Sequence, residues 1–415
     1  MMISGELTLP GDKSISHRAL MLGAICAGTS EINNIGLGQD ILSTARCLQQ
    51  LGAEIQWNDR SVQITGGGWQ EPQNPLDCGN SGTTARLLLG LLAGRQVDAK
   101  LIGDESLSRR PMSRVITPLR QMGAQITSAA DHLPVTVKPS ILEGICYSLP
   151  MASAQVKSAI LFAGLGAEGQ TTVRELLTSR NHTEIMLQQL GVPCVVQDGE
   201  TVVSKPESDL TAFEMEIPGD VSTAAGFIAA ATLVPGSQLT LKNLLANPTR
   251  TGFIQVLQYM GAQLIWNQQW TYSGEIAGDL FVKYGLLHGV SITAEEVPGL
   301  IDELPLLAVV ATQAEGTTTV RGAAELRVKE SDRIAMICSN LTRWGANITE
   351  YPDGFTIHGP TPLQGGEIIT GGDHRIAMSF TIAGLISAVP VLLDDPSCIA
   401  ISSPEFLHQL HDLQR

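Results

Sequence analysis

The sequence predicts an α/β protein of two similar domains, each assembled from three copies of one unit with two helices and several short strands. Three observations support this prediction: the length of 415 residues, one motif that recurs at a regular interval, and a second motif that recurs three units later. Single hydrophobic cores stop growing at about 250–300 residues, so a chain of this length is expected to form two domains. The 42 glycines are spread along the chain, as expected for many tight connections between strands and helices.

The regularly recurring motif is L-x-x-[LMW]-G-[AV]. Its glycines are Gly52, Gly123, Gly191, Gly261 and Gly345, with spacings of 71, 68, 70 and 84 residues. Each copy ends a segment with helical periodicity, and a glycine after the last helical residue readily adopts the left-handed conformation that ends helices. The motif therefore predicts five helix ends at equivalent positions of a repeat.

A second series of residues marks the starts of apolar helices. We place these starts near Asp12, Asn80, Ser153, Asp220, Asp302 and Asp373. The spacings are 68, 73, 67, 82 and 71 residues, and both series place one insertion between positions 261 and 302. Two series that agree on an insertion indicate six copies of one unit, whose neighbours bury a shared core.

The sequence P-G-D-x-S occurs at residues 10–14 and again at residues 218–222. The spacing of 208 residues equals three units, so we expect the chain to pass between the domains at these two places. The predicted domains are residues 13–219, and residues 1–12 together with residues 220–415. The tripeptide PGD within this motif could simply mark turns before two helices, and only the spacing of three units favours a duplication.

The composition argues against several classes of protein. The formal net charge of −15 disfavours binding to nucleic acid or to anionic membranes. The seven scattered cysteines contain no C-x-x-C pair, so we expect neither a disulfide framework nor a structural zinc site. Residues 376–393 carry no charge, but Gly384 and Pro390 interrupt them, which predicts a buried helix followed by a buried strand rather than a membrane span. The N-terminus shows no secretory signal, so we expect a cytoplasmic protein.

Polar and cationic residues cluster at the predicted helix starts. A helix N-terminus presents unpaired N–H groups and a partial positive charge, so it attracts anions, and Lys and Arg side chains add full charges. The clusters are Lys13, Ser14 and Arg18; residues 79–83 with Arg86; residues 153–157; Asp302 and Glu303; and Asp373, His374 and Arg375. If the repeat directs several of these starts towards one cleft, that cleft would bind phosphates and carboxylates.

Each of these segments also has a purely structural interpretation. The sequence GNSGT at residues 79–83 could be only a tight helix entry, and it matches neither a P-loop nor a dinucleotide-binding motif. Asp302 and Glu303 could be only a helix cap. Within residues 327–333, Lys329 and Arg333 are four apart and are expected to share a helix face, which could equally belong to a surface ladder of ion pairs.

Seven segments, taken in order, resemble the 3-phosphoshikimate 1-carboxyvinyltransferase family, also called EPSP synthases. They are GDKSISHRA, GNSGTTARLLLG, SRRPM, SAQVKSA, SRNHTE, LRVKESDRIA and GGDHRIAM. The resemblance covers nearly the whole chain. It implies an inside-out α/β barrel of three repeated units in each of two domains, with helix N-termini that face a cleft between the domains.

The resemblance implies transfer of the enolpyruvyl group of phosphoenolpyruvate to the 5-hydroxyl group of shikimate 3-phosphate, with release of phosphate. This reaction belongs to the shikimate pathway to chorismate and aromatic amino acids, and glyphosate inhibits the family. By similarity, the residues that bind shikimate 3-phosphate are Lys13, Ser14, Arg18, Ser153, Gln155, Ser179, Asp302 and Lys329. Those that bind phosphoenolpyruvate are Lys13, Gly82, Arg110, Gln155, Arg333 and Arg375. We expect a monomer without a metal or another cofactor.

The family reaction is an addition followed by an elimination, and it needs an acid and a base in one site. Asp302 is the predicted base for the 5-hydroxyl proton, and Glu330 and Lys13 are both candidates for protonating the methylene carbon of phosphoenolpyruvate. Because neighbouring Arg and Lys side chains favour ionised carboxylates, the acid role of Glu330 has less support than the base role of Asp302. Three positions depart from residues found in other members, which have Ser, Asn or Lys there: Ala154, Glu325 and Ile401.

Two other functions fit parts of the sequence. The sister enolpyruvyl transferase that acts on UDP-N-acetylglucosamine should carry a reactive cysteine in a mobile loop and a uridine-binding segment, and neither is recognisable. Cys78 precedes the glycine-rich helix start, but we expect it to be a buried apolar residue. A catalytically inactive scaffold with the same fold would not need the complete set of acid, base and cations.

Overall fold

The computed structural model describes residues 2–415 and divides them into two compact units. Unit 1 comprises the described residues up to Leu9 together with Pro218–Thr271 and Ile276–Arg415, and unit 2 comprises Pro10–Ile217 and Tyr272–Glu275. The limits near residues 10 and 218 lie within three residues of the predicted crossings. The assignment of residues 272–275 to unit 2 was not predicted, and it reflects a contact of 2.6 Å between His182 Nδ1 and Glu275 Oε1.

The first five repeats share one order of elements, which is strand, helix, strand, helix and a β-hairpin, and the second repeat has one additional short helix. The first three repeats consist of β1 (Ser4–Thr8), α1 (Lys13–Ile25), β2 (Gly28–Asn33), α2 (Gln39–Gln50), β3 (Glu54–Asn58), β4 (Ser61–Gly66), β5 (Leu76–Asp77), α3 (Gly82–Gly94), β6 (Ala99–Ile102), α4 (Glu105–Arg109), α5 (Ser113–Gln121), β7 (Gln125–Ala129), β8 (His132–Lys138), β9 (Cys146–Ser148), α6 (Ala154–Gly164), β10 (Gln170–Arg174), α7 (His182–Gln189), β11 (Cys194–Gln197) and β12 (Glu200–Ser204).

The last three repeats continue the same order and end differently. They consist of β13 (Glu214–Glu216), α8 (Val221–Leu233), β14 (Gln238–Leu245), α9 (Gly252–Tyr259), β15 (Gln263–Tyr272), β16 (Glu275–Lys283), β17 (Ser291–Ile292), α10 (Leu304–Ala311), β18 (Gly316–Val320), α11 (Arg333–Arg343), β19 (Asn347–Tyr351), β20 (Gly354–Gly359), β21 (Gly366–Ile368), α12 (His374–Ala383), β22 (Val391–Leu393) and α13 (Phe406–Asp412). The final repeat ends with its second helix, α13, and lacks the hairpin, so it is shorter than the predicted unit.

Five four-stranded sheets share one topology. Their strand orders are β13-β2-β4-β3, β5-β6-β8-β7, β9-β10-β12-β11, β1-β14-β16-β15 and β17-β18-β20-β19. In each, the first two strands are parallel and the last two form a hairpin, as in the pairs β5–β6 and β7–β8. The sixth sheet, within residues 2–415, contains only the parallel pair β21–β22.

The strands that precede α1 and α8 explain the duplicated P-G-D-x-S motif. β1 pairs in parallel with β14, where Ser4 faces Gln238, and β13 pairs in parallel with β2, where Glu214 faces Glu31. Each strand therefore completes a sheet whose other strands lie about two hundred residues away in sequence. The two copies of the motif follow these two strands directly, which is why they are three units apart.

The five motif glycines confirm the predicted helix ends. Gly52, Gly123, Gly191, Gly261 and Gly345 have φ angles of 102°, 99°, 72°, 98° and 88°, in the left-handed region that favours glycine. The predicted insertion between positions 261 and 302 lengthens one hairpin, because β15 and β16 have 10 and 9 residues where β3 has 5.

The first helix of each repeat lies in the core, and the sheets lie outside it. Every residue of α8 and of α10 is buried. α3 and α6 approach closely at Gly90, where a β-carbon would lie 2.1 Å from the carbonyl oxygen of Ala159. Helices inside and sheets outside are the inside-out α/β arrangement that the resemblance implies, so the predicted fold class is confirmed.

The prediction of a buried helix and a buried strand within the uncharged segment 376–393 is only partly correct. Its first half belongs to α12, which is largely buried as expected. The strand β22 is not buried, since Leu392 is 63% exposed. The two-stranded sixth sheet has no hairpin beside β22, and the strand therefore lies at the surface. Within residues 2–415, no helix is both long enough and apolar enough to cross a membrane.

Candidate active site

The start of α1 places Lys13 beside a carboxylate. The Asp12 side chain caps the helix by accepting a hydrogen bond from the backbone N–H of Ile15 at 3.0 Å. Lys13 Nζ then lies 2.5 Å from Asp40 Oδ2, and the Lys13 side chain is 21% exposed. Sequence reasoning missed Asp40, because it lies on α2 and no local pattern connects it with Lys13. The ion pair holds the ammonium group at the helix start.

Arg18, one turn after Ser14, connects three helices of unit 2. Its Nη1 donates to the backbone oxygen of Ser14 at 2.8 Å, its Nε to Thr183 Oγ1 at 2.7 Å, and its Nη2 to Ser158 Oγ at 2.7 Å. Burial lowers the pKa of Arg18 to about 10, and Glu184 opposes that change. Arg18 therefore stays charged at neutral pH, and it joins α1 to α6 and α7 within their first two turns.

The start of α3 gathers two arginines over a glycine. A β-carbon at Gly82 would lie 2.7 Å from Arg86 Nη1 and 3.6 Å from Arg110 Nη1. Arg86 Nη1 also donates to Gln155 Oε1 at 2.7 Å. The predicted residues Gly82, Arg110 and Gln155 thus lie together, and Arg86 lies among them. Sequence analysis placed Arg86 at this helix start but not among the substrate-binding residues, although its spacing of four from Gly82 places both on one helix face.

The starts of α6 and α7 complete the site of unit 2. Ser153 caps α6 by accepting a hydrogen bond from the backbone N–H of Val156 at 3.4 Å. Ser179 Oγ donates to Glu175 Oε1 at 2.5 Å, in the loop before α7. Arg180 Nη1 donates to Ser14 Oγ at 3.4 Å, which joins this loop to α1. The cations around these helix starts are Lys13, Arg18, Arg86, Arg110 and Arg180.

In unit 1, Arg333 gathers three carboxylates from different segments. Its Nε donates to Asp373 Oδ2 at 2.8 Å, its Nη2 to Glu330 Oε2 at 2.7 Å, and its Nη1 to Asp302 Oδ1 at 3.4 Å. The Arg333 side chain is 2% exposed, while those of Asp302 and Glu330 are 18% and 20% exposed. The predicted base, one predicted acid and one predicted cation are therefore adjacent.

The charges of this cluster stabilise one another. Burial lowers the pKa of Arg333, but Asp373, Glu330 and Asp302 outweigh burial and raise that pKa above its ordinary value. Burial alone would raise the pKa of Asp373, but the ion pair with Arg333 holds it below its ordinary value of 3.8. Arg333 and Asp373 therefore remain ionised as a pair in the folded protein.

The prediction that Lys329 and Arg333 share a helix face is wrong. α11 begins only at Arg333, because Asp332 caps it by accepting a hydrogen bond from the backbone N–H of Ala335 at 3.0 Å. Lys329 precedes the cap in an extended conformation and lies 3.4 Å from Glu325, which occupies one of the positions that depart from the family pattern. The alternative of a surface ladder fits Arg327, which pairs with the exposed carboxylates of Asp332 and Glu350.

Arg375 lines an open depression of about 260 Å³ in unit 1, together with Asp302, Glu303 and Ser222. Arg375 Nη1 lies 3.6 Å from Glu303 Oε1 and 3.4 Å from the backbone oxygen of Ser222. The Glu303 side chain is 4% exposed and accepts a hydrogen bond from Ser222 Oγ. Glu303 was predicted only as part of a helix start, and it contacts the cation of the neighbouring repeat.

The two sets have different chemical capacities. Unit 2 supplies cations and helix N-termini, which bind anionic groups. Unit 1 supplies carboxylates beside arginines, which suit proton transfer next to a bound anion. Among residues 2–415, no group of three or more His, Cys, Asp or Glu side chains is arranged to hold a metal ion.

Comparisons with known proteins agree along the whole chain. A family model described as EPSP synthase (3-phosphoshikimate 1-carboxyvinyltransferase) matches residues 1–410. A 3-phosphoshikimate 1-carboxyvinyltransferase of Bacillus licheniformis is 47% identical over 418 residues, which cover 99% of this chain and 97% of that relative. One from a Synechococcus species is 49% identical over 419 residues, covering 99% of this chain and 94% of that relative.

Solved structures give the same result. An EPSP synthase from Acinetobacter baumannii matches with a TM-score of 0.88 and 40% identity, covering 99% of this chain and 96% of that chain. The enolpyruvyl transferase NikO from Streptomyces tendae matches with a TM-score of 0.81 at 17% identity, covering 99% of this chain and 95% of that chain. At that identity, NikO is evidence for the fold alone.

Proposed function

The chain belongs to the EPSP synthase family, and from this premise we propose that the residue sets of its two units act on one pair of substrates. The reaction transfers the enolpyruvyl group of phosphoenolpyruvate to shikimate 3-phosphate, within aromatic amino-acid biosynthesis. Both substrates are polyanions. The observation that carries the proposal is the gathering of five cations at the helix starts of unit 2, in a chain whose net charge is −15.

Shikimate 3-phosphate would bind chiefly at the starts of α1, α6 and α7. Ser14, Ser153 and Ser179 offer hydroxyl groups there, and Lys13 adds a full charge. Arg18 contributes by holding these three starts together, since its nitrogens donate to residues of all three helices. Lys329 is proposed to supply a further cation from unit 1.

Phosphoenolpyruvate would bind where backbone and guanidinium groups converge. Gly82 lets an anion approach the N-terminus of α3 closely, because no side chain stands in the way. Arg110 and Gln155 lie at the same place, and Arg333 and Arg375 are proposed to contribute from unit 1. The carboxylate and the phosphate of this substrate both suit the bidentate geometry of guanidinium groups.

The chemistry then needs one proton donor and one proton acceptor. We propose that the Lys13 ammonium protonates C3 of phosphoenolpyruvate, which makes C2 electrophilic, while Asp302 takes the 5-hydroxyl proton as that oxygen attacks C2. In the elimination, Lys13 takes back a proton from the new methyl group. The C2–O bond to phosphate breaks, and the leaving phosphate takes the proton held by Asp302.

The ion pair between Glu330 and Arg333 argues against Glu330 as the acid. Glu330 lies 2.7 Å from the buried Arg333, a contact that stabilises its ionised form and disfavours it as a proton donor. An ammonium group at Lys13 carries the proton already. Asp302 has a longer contact of 3.4 Å with Arg333, which suits a base that must accept a proton during the reaction.

A phosphate-release assay tests the proposed function directly. We expect phosphate to form from phosphoenolpyruvate only when shikimate 3-phosphate is also present. UDP-N-acetylglucosamine in place of shikimate 3-phosphate should give no phosphate. A well-folded protein that released none with either acceptor would contradict the proposal and favour an inactive scaffold.

Gly82→Ala is expected to raise the KM for phosphoenolpyruvate. The new β-carbon would lie 2.7 Å from Arg86 Nη1 and would stand where an anion approaches the N-terminus of α3, so one hydrogen bond to that anion is expected to be lost. Loss of one charged hydrogen bond corresponds to about 1.5–3 kcal/mol, or roughly a ten- to hundredfold higher KM. The KM for shikimate 3-phosphate should change less than about threefold. Steady-state kinetics in each substrate measure both values, and equal increases in both would contradict the assignment of Gly82.

We further propose a cytoplasmic monomer. The cysteine pattern, with no C-x-x-C pair, fits a reducing compartment. Sedimentation at micromolar concentration is expected to give the mass of one chain. A stable dimer would contradict the monomer.

A further inference from the structure

Four charged side chains of unit 2 form a buried group that we call the Lys157 cluster: Lys157, Glu175, Glu184 and Arg18. Lys157 Nζ lies 2.6 Å from Glu175 Oε2 and 2.6 Å from Glu184 Oε1, and the Lys157 side chain is 1% exposed. Arg18 donates hydrogen bonds to the residues that adjoin Glu184 and Lys157 in sequence. Two cations and two carboxylates make the cluster formally neutral.

Glu175 connects this cluster with Ser179. Its Oε1 accepts the hydrogen bond from Ser179 Oγ at 2.5 Å, while its Oε2 contacts Lys157. In the loop between β10 and α7, Leu176 is 92% exposed, whereas Ser179 is only 6% exposed. The Glu175 carboxylate therefore orients the Ser179 hydroxyl, and Lys157 fixes the carboxylate. With its one hydrogen donated to Glu175, the Ser179 oxygen is left to accept a hydrogen bond from a hydroxyl group of the substrate.

Stability alone gives a poor reason for such a cluster. Desolvation of buried ion pairs offsets much of their attraction, and well-packed apolar residues often replace them without loss of stability. The cluster does have an electrostatic consequence at Ser179. Without Lys157, an uncompensated carboxylate at Glu175 would lie directly behind that hydroxyl and repel an anionic ligand.

We propose that Lys157 is a positioning residue for shikimate 3-phosphate. Its ammonium neutralises Glu175, so that this carboxylate orients Ser179 without repelling the phosphorylated substrate. The inference rests on the proposed binding of shikimate 3-phosphate by Ser179. Lys157 itself does not touch the substrate, and its effect should appear in substrate affinity rather than in turnover.

Lys157→Met tests this role by removing the charge and keeping the length of the side chain. We expect the KM for shikimate 3-phosphate to rise at least tenfold, with kcat and the KM for phosphoenolpyruvate within about threefold of the original protein. Lys157→Met/Glu175→Gln should recover most of the loss, because the amide still accepts from Ser179 and the cluster is again neutral. A rise in both KM values, or no recovery in the double variant, would overturn the proposal in favour of a general structural role.

Two further variants separate this inference from the assignment on which it rests. Ser179→Ala should raise the KM for shikimate 3-phosphate, and no change there would remove Ser179 from the substrate site. If Ser179→Ala raised the KM for shikimate 3-phosphate but Lys157→Met left it unchanged, the proposed role of Lys157 would be wrong and the assignment of Ser179 would stand. Lys138→Met is the matched control, because its ion pair with Asp98 lies at the surface of the same unit, with Lys138 54% exposed.

Glu175 provides a second test that leaves Lys157 paired with Glu184. Glu175→Ala removes the acceptor for Ser179 and is expected to raise the KM for shikimate 3-phosphate about tenfold. Glu175→Gln keeps an acceptor and should stay within about threefold. If both variants behaved alike, the hydrogen bond from Ser179 would not matter, and the proposal would be wrong even if Lys157→Met failed to fold.

Discussion

Lys13→Met is expected to lower kcat by about a thousandfold, because a general acid contributes on the order of 10²–10⁴ to the rate. The substitution removes the ammonium group that we assign to protonation of phosphoenolpyruvate, and it also removes a cation from the binding site. Phosphate release under saturating substrates measures the loss. Activity within tenfold of the original protein would exclude Lys13 as the acid.

The loss in Lys13→Met has a second possible cause, which the structure allows us to separate. Asp40 lies 2.5 Å from Lys13 and its side chain is only 10% exposed, so the variant leaves a carboxylate without its cation. Lys13→Met/Asp40→Asn removes that charge as well. If Lys13 is the acid, the double variant should be as inactive as the single one, whereas recovery would show that Lys13 only neutralises Asp40.

Isotope exchange distinguishes Lys13 from Glu330. In heavy water, reversible protonation at C3 introduces deuterium into the methylene group of phosphoenolpyruvate when shikimate 3-phosphate is present. Glu330→Gln should retain this exchange, and Lys13→Met should lose it, since only the latter removes the proposed donor. The opposite pattern would assign the acid to Glu330.

The sequence allowed prediction of features that repeat and of features that a local pattern determines. The spacing of the glycines predicted the repeat. These glycines have left-handed φ angles at helix ends, a conformation that a residue without a β-carbon adopts easily. The helix starts were recognisable because caps are local: Asp12, Ser153, Asp220 and Asp373 cap helices by accepting hydrogen bonds within three residues.

Features that depend on contacts between distant segments could not be predicted in this way. Asp40 and Glu175 lie 27 and 18 residues from Lys13 and Lys157 in sequence, and only the tertiary fold brings each pair to within 2.6 Å. The error at Lys329 has a different origin, because it concerns the residue at which a helix begins. The spacing of Lys329 and Arg333 does not show that Asp332 caps α11. The cap leaves Lys329 outside the helix, and Arg333 pairs with Asp373.

Arg333→Met is expected to lower the free energy of unfolding by about 3–5 kcal/mol, because it leaves buried carboxylates without their cation. Asp373 is fully buried and lies 2.8 Å from Arg333 Nε, so water cannot replace the lost partner easily. Chemical denaturation measures the change. Arg327→Met is the matched control, since Arg327 also contacts two carboxylates but lies at the surface with 27% of its side chain exposed. That variant should lose less than about 1 kcal/mol.

The effect of pH identifies the cause of this loss. In the original protein the pKa of Asp373 lies below its ordinary value of 3.8, so its ion pair contributes stability above that pH and loses it only in stronger acid. Without Arg333, burial raises the pKa of Asp373, and the folded variant binds a proton more readily than the unfolded chain does. The stability deficit of Arg333→Met should therefore shrink as the pH is lowered from neutral towards the ordinary pKa of aspartate. A deficit that is independent of pH would mean that Arg333 stabilises the fold through packing, and that Asp302, Glu330 and Asp373 do not depend on its charge.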